Sequence, residues 1–215
     1  MFRSTRDGGG LFRKAADGTG EVERLTTQVN GQTPQSWTPD GDILVFYETT
    51  LAGNDIFTLS LDSDLEPEPL LNQPFLEEHP IVSPDGSWIA YTGRGSGLDE
   101  IYVRPFPNVD DRRWQVSNGG GAEPLWAPDG RELFYTTNRA IMVVPIDVDP
   151  TFRPGSPEVL FESVDYYFVA AGRHYDIAPD GKRFLMIKSP MRNEARIIVV
   201  QNWFEELKRL VPTED

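Results

Sequence analysis

A chain of 215 residues has room for one domain and a short appendage. Its 34 acidic against 20 basic residues leave a formal charge of −14, which argues against nucleic acid and anionic membranes, because both reward clustered positive charge. With no cysteine, disulfides, thiolate metal sites and a cysteine nucleophile are excluded, and 19 Gly with 18 Pro point to many turns rather than long helices.

In chain order, Met1–Gly10 lacks the continuous apolar region of a signal peptide, and no run approaches the roughly 18 apolar residues of a membrane span. Residues 1–27 read as the later part of a repeating unit. Phe2–Gly8 parallels Tyr91–Gly95, Leu11–Lys14 stands as a third strand and Val22–Thr26 as a fourth. The repeat then becomes explicit. Pro-Asp-Gly occurs at Pro39–Gly41, Pro84–Gly86, Pro128–Gly130 and Pro179–Gly181, at spacings of 45, 44 and 51 residues. Before each copy stands a small or β-branched residue (Thr38, Ser83, Ala127, Ala178), and before that a large apolar one (Trp37, Val82, Trp126, Ile177).

Pro presets φ at the first turn position, Asp accepts from nearby backbone N–H groups, and Gly takes the positive φ that other residues resist. Each turn therefore joins two antiparallel strands. The run after the turn, such as Ile43–Tyr47 or Trp88–Tyr91, is apolar at successive positions, as a strand covered on both faces should be. Third strands are expected at Ile56–Leu59, Ile101–Val103, Ile141–Val144 and Ile197–Val200. They begin 17, 17, 13 and 18 residues after the motif proline, so the third full unit has the shortest loop before its third strand. Fourth strands are expected at Leu70–Leu71, Trp114–Val116 and Val159–Phe161. Asn202–Leu210 reads as a short helix, with Asn202 as N-cap, two Glu in the first turn and Lys-Arg in the last.

Four short strands per unit predict an all-β fold, a β-propeller of four-stranded antiparallel blades. The partial blade covers 1–27, and the blades cover about 28–71, 72–117, 118–161 and 162–201. The helix and tail cover 202–215. The repeat, an apolar residue and Ser/Thr/Ala before Pro-Asp-Gly with an apolar strand after it, resembles the WD40-like repeat of TolB-type β-propellers. The resemblance spans about 200 residues and implies a six-bladed ring for a whole propeller and an extracytoplasmic or periplasmic setting. Val199–Leu207 is similar to the last residues of propellers attached to bacterial eukaryote-like Ser/Thr kinases. That similarity implies a sensor or interaction domain outside a kinase. The chain itself holds no kinase motif, and Arg173–Asp176 is not the catalytic-loop pattern.

The two histidines, His79 and His174, share one repeat position, five residues before the motif proline; Glu123 and Pro34 fill it in the other units. A polar residue there can face the central channel. Without close His spacing the pair makes a poor metal site, and a place in the rim or a turn is the plainer reading. The motif aspartates Asp40, Asp85, Asp129 and Asp180 are explained by the turn. Asp62–Glu66 lacks the Gly and distal Glu of a calcium loop, and Gly93–Gly97 has no following helix to receive a phosphate; both read as loops. Tyr166, Tyr167 and Phe168 lie in the longest interval and either fill a gap or meet a partner. No Gly-x-Ser-x-Gly elbow exists. No cofactor or metal is called for.

These residues point to a non-catalytic module that binds a protein or peptide partner. The alternative is a lactonase- or glycosidase-like propeller hydrolase, and a cluster of three or more carboxylate or His side chains in the channel would favour it. Trp37 and Trp126, sharing a position on the innermost strand, are expected to be buried. The ends do not complement one another, so an open arc of four to five blades is expected, with an exposed blade face at each end that promotes self-association.

Overall fold

The computed structural model describes residues 1–27, 30–51, 53–62, 65–149, 151–162 and 173–187. Among these the only helical segment is a single 3-10 turn at Arg6–Gly8. The rest is strand and loop, arranged in five antiparallel sheets. No helix among the described residues is long and apolar enough to cross a membrane.

The first sheet orders β1 (Phe2–Ser4), β2 (Gly10–Arg13) and β3 (Glu23–Arg24) side by side. The second runs β4 (Gly31–Trp37), β5 (Ile43–Thr49), β6 (Asn54–Ser60), β7 (Glu68–Leu71). The third runs β8 (Glu77–Val82), β9 (Trp88–Gly93), β10 (Glu100–Pro105), β11 (Trp114–Gln115). In the fourth, β12 (Ala122–Trp126) and β13 (Glu132–Thr136) lead to β14 (Ala140–Asp147). The long β14 pairs with two outer strands, β15 (Arg153–Pro154) and β16 (Glu158–Glu162); β15 was not anticipated from the sequence. The fifth holds β17 (Tyr175–Ile177) and β18 (Phe184–Met186). Residues Val199–Leu207 and the expected strand and helix near them lie outside the described residues.

Each Pro-Asp-Gly copy closes a β-turn, with the Gly N–H donating to the carbonyl of Thr38, Ser83, Ala127 or Ala178 at 2.8–2.9 Å. The glycines sit at φ +68° to +82°, where a Cβ would be strained. In every copy the Asp carboxylate accepts the N–H two residues on, at 3.0–3.1 Å. Successive turns also stack. A methyl group on Gly86, Gly130 or Gly181 would lie 3.4–3.8 Å from the ring of Pro39, Pro84 or Pro128 in the preceding sheet. All four turns therefore share one rim.

The strands that follow the turns carry the core. In β5, β9 and β13 nearly every residue is buried, so both faces are covered. Leu11 and Leu25 of the first sheet pack with Leu44, Phe46 and Leu59 of the second. Val45, Tyr47 and Ile56 pack with Ile89, Tyr91 and Tyr102 of the third. Ile101 and Val103 pack with Leu125, Leu133 and Ile141 of the fourth, and Phe184 and Met186 of the fifth rest on that cluster. Each fully buried side chain of this size contributes roughly 1.5–3 kcal/mol. Sheets adjacent in sequence are thus adjacent in space, as stacking blades require.

One expectation is overturned. Trp126 is buried and donates its indole N–H to the Ile81 carbonyl on β8, the innermost strand of the preceding sheet. Trp37, at the same repeat position, is 38% exposed. The sheet before it starts with β1 in the second-strand position, so no innermost strand among the described residues lies in front of Trp37.

Candidate functional site

The innermost strands β4, β8, β12 and β17 all run toward the turn rim. Their leading ends meet the loops between second and third strands on the opposite rim. Each of the three longer ones is bulged near its start. The register slips between Pro34 and Ser36, between Glu78 and Ile81, and between Ala122 and Leu125. His79 and Glu123 occupy these bulges at φ +53° and +54°. Left-handed backbone is costly for a residue with a side chain and is found where surrounding structure enforces it. Pro80 and Pro124 follow and have no N–H to lose from the ladder, which suits them to bulges. That repeated proline was the available sequence signal for the bulge, and it was not read as one.

The bulge turns its side chain into the interior. His79 is 5% exposed and Glu123 4%. Three sheets converge on Glu123. Its N–H donates to the Thr92 hydroxyl of β9 at 3.2 Å, its carbonyl accepts from the Tyr175 hydroxyl at 2.7 Å, and its Oε1 lies 2.8 Å from Nδ1 of His174. Glu123 and His174, 51 residues apart, are therefore one buried pair. His79 stands with its ring edge-on to Tyr47, centroids 6.3 Å apart. Neither His79 ring nitrogen has a protein partner, and neither has Oε2 of Glu123.

Burial dominates the electrostatics. It pushes the Glu123 carboxyl above the usual range, against the pull of His174. It lowers His79 to about 4, helped by Arg173 and His174 and opposed by Asp99, so His79 is neutral at physiological pH. Neutral imidazole offers one donor and one acceptor.

His79 and Glu123 line one cavity of about 490 Å³ between the third and fourth sheets. Gly119, Gly120 and Gly121 form a wall of backbone. The N–H groups of Gly119 and Gly120 both donate to Glu100 at 3.0 Å, and Gly121 donates to the Asp99 carbonyl at 2.8 Å. A Cβ on Gly121 would fall 2.9 Å from the Tyr135 ring, so only glycine fits. The opposite wall comes from the Gly93–Gly97 loop and its neighbours, where Arg94 grips Asp99 with two bonds of 2.7 and 2.9 Å. Glu78 adds a carboxylate raised by burial and held by the Asn54 amide. Thr136, Thr137 and Asn138 complete the site. The shortest second-to-third loop, Thr137–Arg139, is where the sequence places it.

Of the sequence candidates, His79, Glu123 and His174 come together and Pro34 stays in the ladder. Tyr166, Tyr167 and Phe168 lie outside the described residues, as does part of the Asp62–Glu66 loop. No group of three His, Asp or Glu among the described residues is arranged to hold a metal ion. The glycine wall was missed because it has no copy in the other units.

No family model and no curated protein matches the chain. Solved structures do. A TolB-type protein from Agrobacterium tumefaciens superposes with a TM-score of 0.59 at 19% identity, over 74% of this chain and 58% of its own. TolB from Acinetobacter baumannii gives 0.63 at 20%, over 82% and 42%. An oligogalacturonate lyase from Vibrio parahaemolyticus gives 0.56 at 12%, over 81% and 52%. The chain thus spans about half the length of these proteins. Stacked four-stranded sheets and these superpositions give the chain the architecture of a TolB-type β-propeller.

Proposed function

We propose that the chain is a non-catalytic binding module, a propeller scaffold that takes a protein or peptide partner at the leading ends of its innermost strands. One observation carries the reading. His79 and Glu123, at one repeat position, both line a cavity of about 490 Å³, and each buries polar atoms without a protein partner. Such atoms cost about 1–3 kcal/mol each when buried unpaired, and a ligand that draws either side chain toward the cavity and pairs it recovers that cost. The volume lies within the range of ligand sites, and the glycine wall lets an extended chain approach backbone closely. A sensor role beside a Ser/Thr kinase, implied by the Val199–Leu207 similarity, belongs to the same proposal.

The test is display selection of random peptides on the full chain, with rescreening on Glu123→Gln and His79→Leu. Selected peptides are expected to lose at least about tenfold in affinity on both variants, the scale of one or two buried hydrogen bonds. Equal binding to the variants would remove the site from the function.

A second reading, a hydrolase with its site in the propeller, is favoured by the Glu123–His174 pair. A buried carboxyl held 2.8 Å from an imidazole, with its proton affinity raised by burial, suits general acid–base work. Turnover of chromogenic lactones or glycosides that disappears in Glu123→Gln would establish it.

A further inference from the structure

We propose that the first two sheets leave a strand-acceptor slot, between the outer edge of β1 and the flank of β4, that takes an extended acidic peptide in the pose of an innermost strand. The slot is separate from the cavity above and does not depend on it.

The chain's own repeats define the occupant. In the second, third and fourth sheets an innermost strand lies outside the second one: β4 on β5, β8 on β9, β12 on β13. Register aligns β1 with those second strands. Phe2 pairs with Phe12 and Arg3 with Leu11, as Tyr91 pairs with Tyr102 and Thr92 with Ile101. Among the described residues no strand lies on the other edge of β1, so its outward N–H and C=O groups have no ladder partner. The flank of β4 records the same gap. β8 and β12, each beside the innermost strand of the preceding sheet, are buried along most of their length. β4 is only half-buried from Thr33 to Ser36 and exposed at Trp37. The Val82 N–H donates back to the Ser36 hydroxyl, and the Trp126 indole to the Ile81 carbonyl, each at 3.3 Å. Trp37 stands where Trp126 does, and a strand added to β1 would supply the missing carbonyl. Such an addition continues the row of innermost strands by one, through main-chain pairing.

The register also fixes the chemistry. By the pairing of β8 on β9, the residue opposite Arg3 corresponds to Glu78, and the residue opposite Met1 to Ile81, with the bulge between them. Arg3 is exposed and has no carboxylate partner among the described residues. Its guanidinium lies at the head of β4, 3.0 Å from where a Cβ on Gly31 would be. A carboxylate opposite Arg3 makes a favourable cross-strand pair. The occupant is thus an extended segment of pattern Glu-x-Pro-apolar.

The probe is the acetylated, amidated peptide Glu-Glu-His-Pro-Ile-Val-Ser, the sequence of residues 77–83, against a scrambled peptide of the same composition. N–H spectra of the full chain report where it sits, and the Trp37 indole signal is identified by its loss in Trp37→Phe. The peptide is expected to shift the Trp37 indole and the amides of Phe2–Ser4 saturably and to slow their exchange. Trp37→Ala should weaken binding at least about tenfold and Arg3→Glu at least about threefold, the scales of a lost hydrogen bond with its packing and of a reversed cross-strand pair. A peptide with Lys in place of its second Glu should bind Arg3→Glu better than it binds the unaltered protein, a reversal that a merely structural role for Arg3 would not give. Silence of the Trp37 signal, equal binding of the scrambled peptide, or equal binding to Trp37→Ala would overturn the slot. So would a Trp37 indole protected from exchange without peptide at every dilution, because the chain would then fill the slot itself. Protection that grows with protein concentration would overturn the peptide as occupant and give the slot to a second copy.

Discussion

At the Pro-Asp-Gly end of the innermost strands, the same contacts recur in all four copies. The glycine N–H closes the turn, the aspartate takes one backbone donor, and the glycine lies beside the proline of the sheet before it where there is one. At the leading end of the same strands the equivalent position holds Pro34, His79, Glu123 and His174. At His79 and Glu123 the backbone is bulged and left-handed, and both residues bury polar atoms without protein partners. The turn rim repeats because it solves one local problem, ending a hairpin and seating the next sheet. The leading rim varies because the fold does not need those side chains. Unpaired buried polarity gathered at one rim marks where function departs from folding.

The largest expected effect lies where the innermost strand meets its neighbour. Trp126→Ala should cost about 3–5 kcal/mol, as large core aromatics do, because Trp126 is buried and bonded to the Ile81 carbonyl. Trp37→Ala should cost less than about 1 kcal/mol, the usual scale for a half-exposed site, because its indole is 38% exposed. Urea unfolding of the two variants measures the difference. Equal losses would mean that exposure does not separate these two positions.

The next effect belongs to the leading rim. Glu77 is fully buried, with one carboxylate oxygen unpartnered and the other 3.4 Å from the Gln73 N–H. Burial raises it from an ordinary 4.5 to about 7, against Gln73, Arg104 and Arg113, with Asp55 adding to the rise. The folded chain keeps this proton longer than the unfolded one. The stability that the protonated carboxyl contributes is fully present below pH 4.5 and is lost as pH rises to 7. Glu77→Gln should therefore match the parent near pH 4.5 and exceed it by about 2 kcal/mol at pH 8. Melting temperatures across that range check the sign; a variant that falls below the parent at pH 8 would reverse it.

The hairpins were legible because their chemistry fits in four residues. Pro84, Asp85, Gly86 and Ser83 determine a turn whatever surrounds them. The two-faced strands followed from composition alone, since Ile89, Ala90 and Tyr91 have no polar neighbour to face water. Trp37 was misread because burial depends on the preceding sheet, which a repeat position does not record. The Glu123–His174 pair joins residues 51 apart through sheet stacking. Their common repeat position placed both on one rim, but contact depended on a bulge. That bulge was written in Pro80 and Pro124, whose meaning is visible only beside a register. Gly119–Gly121 left no signal, because Gly121 serves as a clearance from Tyr135 and Gly119 and Gly120 take positive φ in a loop without a copy in the other units.

A smaller effect separates copies within the turn rim. Gly41→Ala meets only the strain of φ +82°, since nothing lies within 4 Å of the new methyl. It should cost about 1 kcal/mol. Gly86→Ala adds contact with the Pro39 ring at 3.4 Å, at the edge of ordinary packing. It should cost about the same or slightly more, up to roughly 2 kcal/mol. A Gly86→Ala variant clearly more stable than Gly41→Ala would show that the stacked turns are loosely packed.

The smallest effect has the opposite sign. His79 buries two ring nitrogens without protein partners and contributes only an edge contact to Tyr47. His79→Leu keeps the volume near the bulge and removes that polarity, a gain partly offset because the left-handed backbone strains leucine more than histidine. The variant should gain roughly 1 kcal/mol at neutral pH, the lower range for relieving an unpaired buried group. Its acid response should change as well. The folded ring titrates near 4 and the ordinary value is 6.5, so the unfolded chain binds the proton first. The parent therefore loses stability as pH falls from 6.5 toward 4, against the gain that Glu77 supplies over an overlapping range. Removing His79 leaves the slope of the raised carboxyls Glu77, Glu78 and Glu123, so the variant should grow steadily more stable from pH 7 down to 4.5. The same variant should lose its peptide ligands. A protein made firmer by a change that abolishes binding is what a functional residue on a finished scaffold produces. A loss of stability at neutral pH would instead place His79 among the residues that hold the fold.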